Sequence, residues 1–194
     1  MKKLHGSNRI KTAVFISGTG SNLKKLIQFS KTKKSPIKIN LVVSSNLSAK
    51  GLSFAKKYKI KRRVFKFNNK VKDENMILKY LKKDDVNLIC LAGFMQILSK
   101  NFIKKFRGKI LNIHPSLLPK YKGLNTHERV IRNNEKVSGC TIHYVNSNLD
   151  SGKIILQKKV KVNINDTPKK LSNRIKKQEH ILYPKAISKL FTNP

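Results

Sequence analysis

The chain has 194 residues, 44 Lys and Arg against nine Asp and Glu, and a formal charge of +35. That length suits one ordinary domain burying roughly 70% of its unfolded surface, and the longest apolar runs, 13–16 and 88–92, fall far short of the ~20 residues of a membrane span. Lys far outnumbers Arg and is spread over nearly every segment, with no zinc finger, basic zipper or RNA-recognition signature. Specific nucleic-acid binding is therefore not expected, although the charge should draw anionic substrates. Lys2 and Lys3 mimic a signal n-region, but the apolar stretch behind them is too short for a leader. We expect a cytoplasmic protein with one domain over 1–194, of which 1–10 form a flexible N-terminal extension. Cys90 and Cys140 fall in expected strands and read as buried, reduced thiols.

Residues 12–16 read as a buried strand running into Ser17-Gly18-Thr19-Gly20-Ser21-Asn22-Leu23, with a helix to about 29. Strand, glycine turn and helix start aim backbone N–H groups at an anion. No Gly-Lys-Ser/Thr follows as in a Walker loop, and Leu23 stands where a dinucleotide fingerprint needs its third glycine. Two readings stay open: a phosphate cradle, or a plain tight turn capped by Ser21. Next come a strand over 37–43, a helix over 51–58, a strand over 63–67 and a helix over 73–83. The continuous apolar strand over 88–92 is of the kind buried in parallel sheets. It leads to Gly93-Phe94-Met95-Gln96-Ile97-Leu98, a helix over 101–106 and a strand over 110–114. Beyond Pro119 the pattern changes to a helix over 126–132, two strands over 138–145 and 154–162, and a closing helix from Pro168 to about 190. The alternation argues for an α/β fold, a Rossmann-like doubly wound, mostly parallel sheet with antiparallel strands added toward the C-terminus.

Chemistry concentrates at the end of the 110–114 strand. Asn112 and His114 point to one face, Leu111 and Ile113 to the other. Pro115 ends the strand and holds His114 extended, at the strand end where open α/β sheets bind ligands. The plain alternative is the solvated face of an edge strand. Asp150, in Asn146-Ser147-Asn148-Leu149-Asp150-Ser151-Gly152, is either a turn former or a carboxylate brought beside His114. In the second case it would raise the imidazole pKa and keep the ring charged. Met95 to Leu98 read as core, as a loop brace or as the wall of a flat apolar pocket, and Glu179 and His180 as a solvated helix face. No nucleophile elbow occurs, and no His, Cys or acid spacing suggests a metal.

Together the stretches 16–23, Leu91-Ala92-Gly93-Phe94-Met95, Asn112-Ile113-His114-Pro115-Ser116-Leu117-Leu118-Pro119-Lys120-Tyr121, Leu149-Asp150-Ser151-Gly152 and Gln178-Glu179-His180 resemble the phosphoribosylglycinamide formyltransferases of purine biosynthesis. The likeness runs in order from about 11 to 185. It implies transfer of formyl from 10-formyltetrahydrofolate to the glycine amine of glycinamide ribonucleotide. Amine attack on a formyl carbon builds an oxyanion that needs placed donors. By this resemblance Asn112 and a protonated His114 are those donors, and Asp150 keeps His114 charged and places a proton-carrying water. Gly20, Ser21 and Asn22 would hold the substrate phosphate, and Lys176, Lys177, Gln178 and Glu179 would face the glycinamide part. The folate would meet Met95, Gln96, Ile97, Leu98, Asn112, Asn146, Ser147, Asn148 and Leu149, with Lys70 where the family has an Arg. Gln96 also replaces a usual Arg, and Thr141 stands where Ser is frequent, its hydroxyl free to orient water. The expected partners are small molecules, with the chain a monomer or homodimer. The alternatives are a formyltetrahydrofolate hydrolase and a basic, non-enzymatic RNA-binding protein.

Overall fold

The computed structural model describes residues 9–191. Strands and helices alternate as β1 (Ile10–Ile16), α1 (Ser21–Ser30), β2 (Ile37–Ser44), α2 (Leu52–Lys57), β3 (Lys61–Val64), α3 (Lys70–Lys83), β4 (Leu88–Leu91), α4 (Lys100–Lys105) and β5 (Lys109–His114). The chain continues through α5 (Thr126–Arg132), β6 (Val137–Tyr144), β7 (Ile154–Lys161) and α6 (Pro168–Phe191). One seven-stranded sheet results, in the order β3-β2-β1-β4-β5-β6-β7. The first five strands are parallel, and β6 and β7 add antiparallel beyond β5, as the sequence leads one to expect.

The sheet separates two apolar cores, because side chains alternate along each strand. From β1, Val14 and Ile16 enter the core under α1 and α6, while Ala13 and Phe15 enter the core under α3 and α4. α1 buries Leu23, Leu26 and Ile27 at helical spacing. α6 buries Leu171, Ile175, Leu182, Tyr183, Ala186 and Ile187 along one face. On the opposite side α3 buries Ile77 and Leu81, each contributing roughly 1.5–3 kcal/mol by removal from water. Tyr183 carries its hydroxyl into the core and donates to the Leu91 and Leu111 carbonyls, 3.1 Å each. That placement satisfies the one polar atom of a fully buried ring. Both cysteines are free and buried, and burial pushes each thiol up to about 12. Among the described residues no helix is long and apolar enough to cross a membrane.

Several boundaries differ from expectation for local reasons. β3 occupies 61–64, not 63–67, and the chain then turns with Phe67 at φ 60°. Asn69 accepts the Lys72 N–H at 3.0 Å and so starts α3 at Lys70, three residues early. Asp73, expected to open that helix, turns back to accept the Phe67 N–H at 2.8 Å. Of the expected N-terminal extension over 1–10, residues 1–8 lie outside the described residues, while its last residue, Ile10, already pairs with Ile37 in the sheet.

The turn after β1 is set by glycines. Gly20 takes φ 71° at the head of α1 with no side-chain cap, so Ser21 does not cap this helix. Gly51 packs on it: a Cβ there would lie 2.9 Å from Gly20 Cα and 2.7 Å from Ile16 Cδ1. Gly51→Ala is therefore expected to lower stability by about 1–3 kcal/mol through overpacking. A urea midpoint equal to that of the native protein would refute the tight approach.

Candidate active site

β5 lies between β4 and β6, so it is an interior strand and the edge-strand reading of Asn112 and His114 falls. His114 is 4% exposed and Asn112 half-buried. The antiparallel register sets Asn112 opposite His143 and His114 opposite Thr141. After β6 the chain turns through 145–153, and Asp150, in a left-handed conformation at φ 46°, comes back to the same strand end. A cleft of about 520 Å³ opens there, and its lining includes Asn112, His114, His143 and Asp150.

Both nitrogens of His114 face oxygens. Nε2 donates to the Tyr121 carbonyl at 2.8 Å, because a carbonyl can only accept. Nδ1 lies 3.3 Å from Asp150 Oδ2. Asp150 raises the pKa of this ring, as the sequence argument held, but burial acts against it. Burial of His114 dominates and lowers its pKa from the ordinary imidazole value, outweighing the Tyr121 carbonyl and Asp150, which both raise it. His143 and Arg129 add to the lowering. For Asp150, burial works against the charged form, but the His143 contact, the Gly123 N–H at 2.9 Å and the charges of both histidines hold its pKa below the usual carboxylate value.

Asn112 Nδ2 lies 3.2 Å from His143 Nε2 and 3.4 Å from Asp150 Oδ1. His143 Nδ1 donates to the Tyr144 carbonyl at 2.8 Å. The Asp150 carboxylate can only accept, which fixes the amide with its nitrogen toward it. Thr141 does not orient water. Its buried hydroxyl donates to the Ser116 carbonyl at 2.6 Å and accepts from the Leu118 N–H and Gln157 Nε2 at 3.1 and 2.9 Å. That hydroxyl is saturated, and it pins the segment that delivers the Tyr121 carbonyl to His114.

On the same cleft lining, Asn22 Nδ2 donates to Glu179 Oε2 at 2.8 Å, and both residues are buried. Glu179 is thus no solvated helix face. Burial raises its pKa above the usual carboxylate value, opposed by Asn22 and Lys176. Asn22 Oδ1 and His127 Nδ1 are buried without a partner. Gly20 and Ser21 sit at the start of α1, beside the cleft but not on its lining.

The expected folate residues Met95, Gln96, Ile97, Leu98, Asn146, Ser147, Asn148 and Leu149 all line the cleft. Besides Gly20 and Ser21, four expected residues are off the lining: Lys176, which is half-buried, Lys177, Lys70 and Gln178. Lys177 is exposed on a different surface, with Lys170, Asn173 and Arg174, because residues two apart on a helix do not share a face and its side chain turns away from Glu179. Lys70 is exposed at the head of α3, off the lining, and Gln178 is half-buried and also off it. Sequence reasoning missed His143, legible only as a polar residue alternating with Thr141, and missed His127. It also missed the Tyr121 carbonyl and the Gly123 N–H, which no side-chain pattern reveals. Among the described residues no group of three His, Cys, Asp or Glu side chains is placed to hold a metal.

A family model described as formyl transferase matches residues 10–187. The chain is 44% identical to the phosphoribosylglycinamide formyltransferase of Haemophilus influenzae, over 94% of this chain and 87% of that protein. It is 45% identical to the trifunctional purine biosynthetic protein adenosine-3 of Gallus gallus over 93% of this chain, yet spans only 18% of that longer protein. The crystal structure of phosphoribosylglycinamide formyltransferase from Brucella melitensis superposes with a TM-score of 0.89 at 41% identity, covering 96% of this chain and 97% of that one. On fold and sequence alike, the chain belongs to the formyl transferase family.

Proposed function

We propose that the protein transfers the formyl group of 10-formyltetrahydrofolate to the glycine amine of N1-(5-phospho-D-ribosyl)glycinamide, a step of de novo purine (IMP) biosynthesis. The observation that carries this reading is one cleft lined by Asn112, His114 and Asp150 together with Asn22 and Glu179. The residues suit a folate. Met95, Ile97, Leu124 and Leu149 leave large apolar side chains exposed around the cleft, and its volume falls within the roughly 300–1,000 Å³ of ligand pockets. They also suit the ribonucleotide, since the unpartnered Asn22 Oδ1 is an acceptor awaiting a donor. The start of α1 at Gly20, Ser21 and Asn22 offers N–H groups to its phosphate. Glu179, with Lys176 beside it, serves the glycinamide part. The same reading makes the chain one formyltransferase domain working in the cytoplasm.

When bound, 10-formyltetrahydrofolate supplies a formyl carbon attached to N10. Asn112 Nδ2 donates to the formyl oxygen, whose charge grows as the amine adds. The amine nitrogen must lose a proton and N10 must gain one. His114, whose pKa burial lowers, accepts that proton in concert with Asp150. The resulting imidazolium is held between the Asp150 carboxylate and the Tyr121 carbonyl. A water beside Asp150 then relays that proton from the imidazolium to N10, returning the ring to its starting state. In balance, a glycine N–C bond forms, the C–N10 bond breaks and one proton moves from amine to N10.

The direct test mixes protein, the ribonucleotide and 10-formyltetrahydrofolate and follows folate absorbance, with the expected turnover strictly dependent on the ribonucleotide. Deformylation without it, or silence in both, refutes the reading. Asn112→Ala should slow turnover roughly 10²–10³-fold by loss of an oxyanion donor, and near-normal kcat would exclude that role. A neutral His114 is the working base, so kcat/KM should stay high as pH falls past 6.5, the ordinary imidazole value. It should decline only at the lowered pKa. Asp150 raises His114, so Asp150→Asn should shift the ring's NMR titration further down, and an unmoved titration would break the coupling.

A further inference from the structure

The two subsites proposed above rest on different loops, 17–22 beside the phosphate and 95–98 along the folate wall. One side chain joins them. Ser17 Oγ accepts the Met95 N–H at 2.8 Å and lies 2.6 Å from Ser45 Oγ, one hydroxyl donating to the other. Ser17 also donates its own N–H to the Gly93 carbonyl at 2.9 Å. The segment leaving β1 is thus stitched to the segment leaving β4, and one stitch is a removable hydroxyl. The far end of the wall has a separate tether. Buried Glu74, on α3, accepts the Ser99 N–H at 2.8 Å and the Ser99 hydroxyl, and Ser99 in turn caps α4 by accepting the Phe102 N–H. Between the tethers Met95 and Ile97 stay 63% and 62% exposed. The wall is therefore held at its ends, with these two large side chains left for a ligand to cover.

We propose that Ser17 is a positioning residue that couples the two substrates. Ordering of the 17–22 loop around the ribonucleotide phosphate holds Ser17 Oγ in place, and through the Met95 N–H it holds the folate wall. Each ligand then meets a loop whose ordering the other has already accomplished, and the coupling must be equal in both directions. One hydrogen bond carries it, so the expected factor is on the order of three- to tenfold. This proposal rests on the formyltransferase reading.

Calorimetric titration tests it with glycinamide ribonucleotide and tetrahydrofolate, a pair that lacks a formyl group and cannot turn over. In the native protein each ligand should tighten the other by the same factor. Ser17→Ala should bring that factor to about one, and Ser17→Thr, which keeps the hydroxyl, should restore it. Ser99→Ala, which loosens only the other tether, should weaken tetrahydrofolate binding and leave the factor intact. A native factor of one, or a factor unchanged in Ser17→Ala, overturns the coupling. Native protein that binds neither ligand overturns the formyltransferase reading itself, and this proposal with it. A second measurement needs no variant: amide exchange at Met95 should slow when the ribonucleotide alone is added, and unchanged exchange overturns the role of Ser17.

Discussion

A carboxylate withdrawn from water is unfavourable unless donors and positive charge surround it, and Asp150 shows which neighbours this fold supplies. The Gly123 N–H, the His114 ring, the His143 ring and the Asn112 amide all converge on it. They come from three stretches of chain: the loop after β5, β5 itself, which gives two of them, and β6. Removing the charge would release four groups at once, so the strand end, the loop and the hairpin would lose a common reference. The carboxylate thereby serves as a structural centre of the cleft.

The sheet plan makes that convergence possible. Parallel strands β1, β4 and β5 end on one side, and the antiparallel β6 returns along β5, so His143 lies opposite Asn112. The same strand ends carry the loop at 17–22 and the wall at 95–98, so both lie at one end of the sheet.

Much of this was legible in the amino-acid order. Alternation put Asn112 and His114 on one face, Pro115 marked the strand end, and the changed pattern after Pro119 announced the antiparallel strands. What stayed hidden has a physical reason in each case. The charge state of His114 depends on burial, which a strand pattern does not measure, and burial outweighs Asp150. His143 depends on cross-strand register, invisible without the partner strand. Thr141 looked free because its three partners belong to distant chain segments. The fate of Lys177 turned on a two-residue offset from Glu179 around α6, as fine as the boundary accuracy of a sequence argument.

The acceptor that anchors His114 is the peptide carbonyl of Tyr121, while the Tyr121 side chain is occupied elsewhere, its hydroxyl donating to Glu135 Oε1 at 3.0 Å and accepting from Asn133 Nδ2. A main-chain acceptor is carried by all twenty amino acids, so drift at this position erases no chemistry and leaves no trace in composition. An engineer wishing to retune the basicity of His114 has no side chain to exchange at the contact itself. The adjustable parts lie one remove away, at Glu135 and Lys120 on the surface and at Ser116 and Thr141 beneath, where a substitution shifts the loop and, with it, the oxygen.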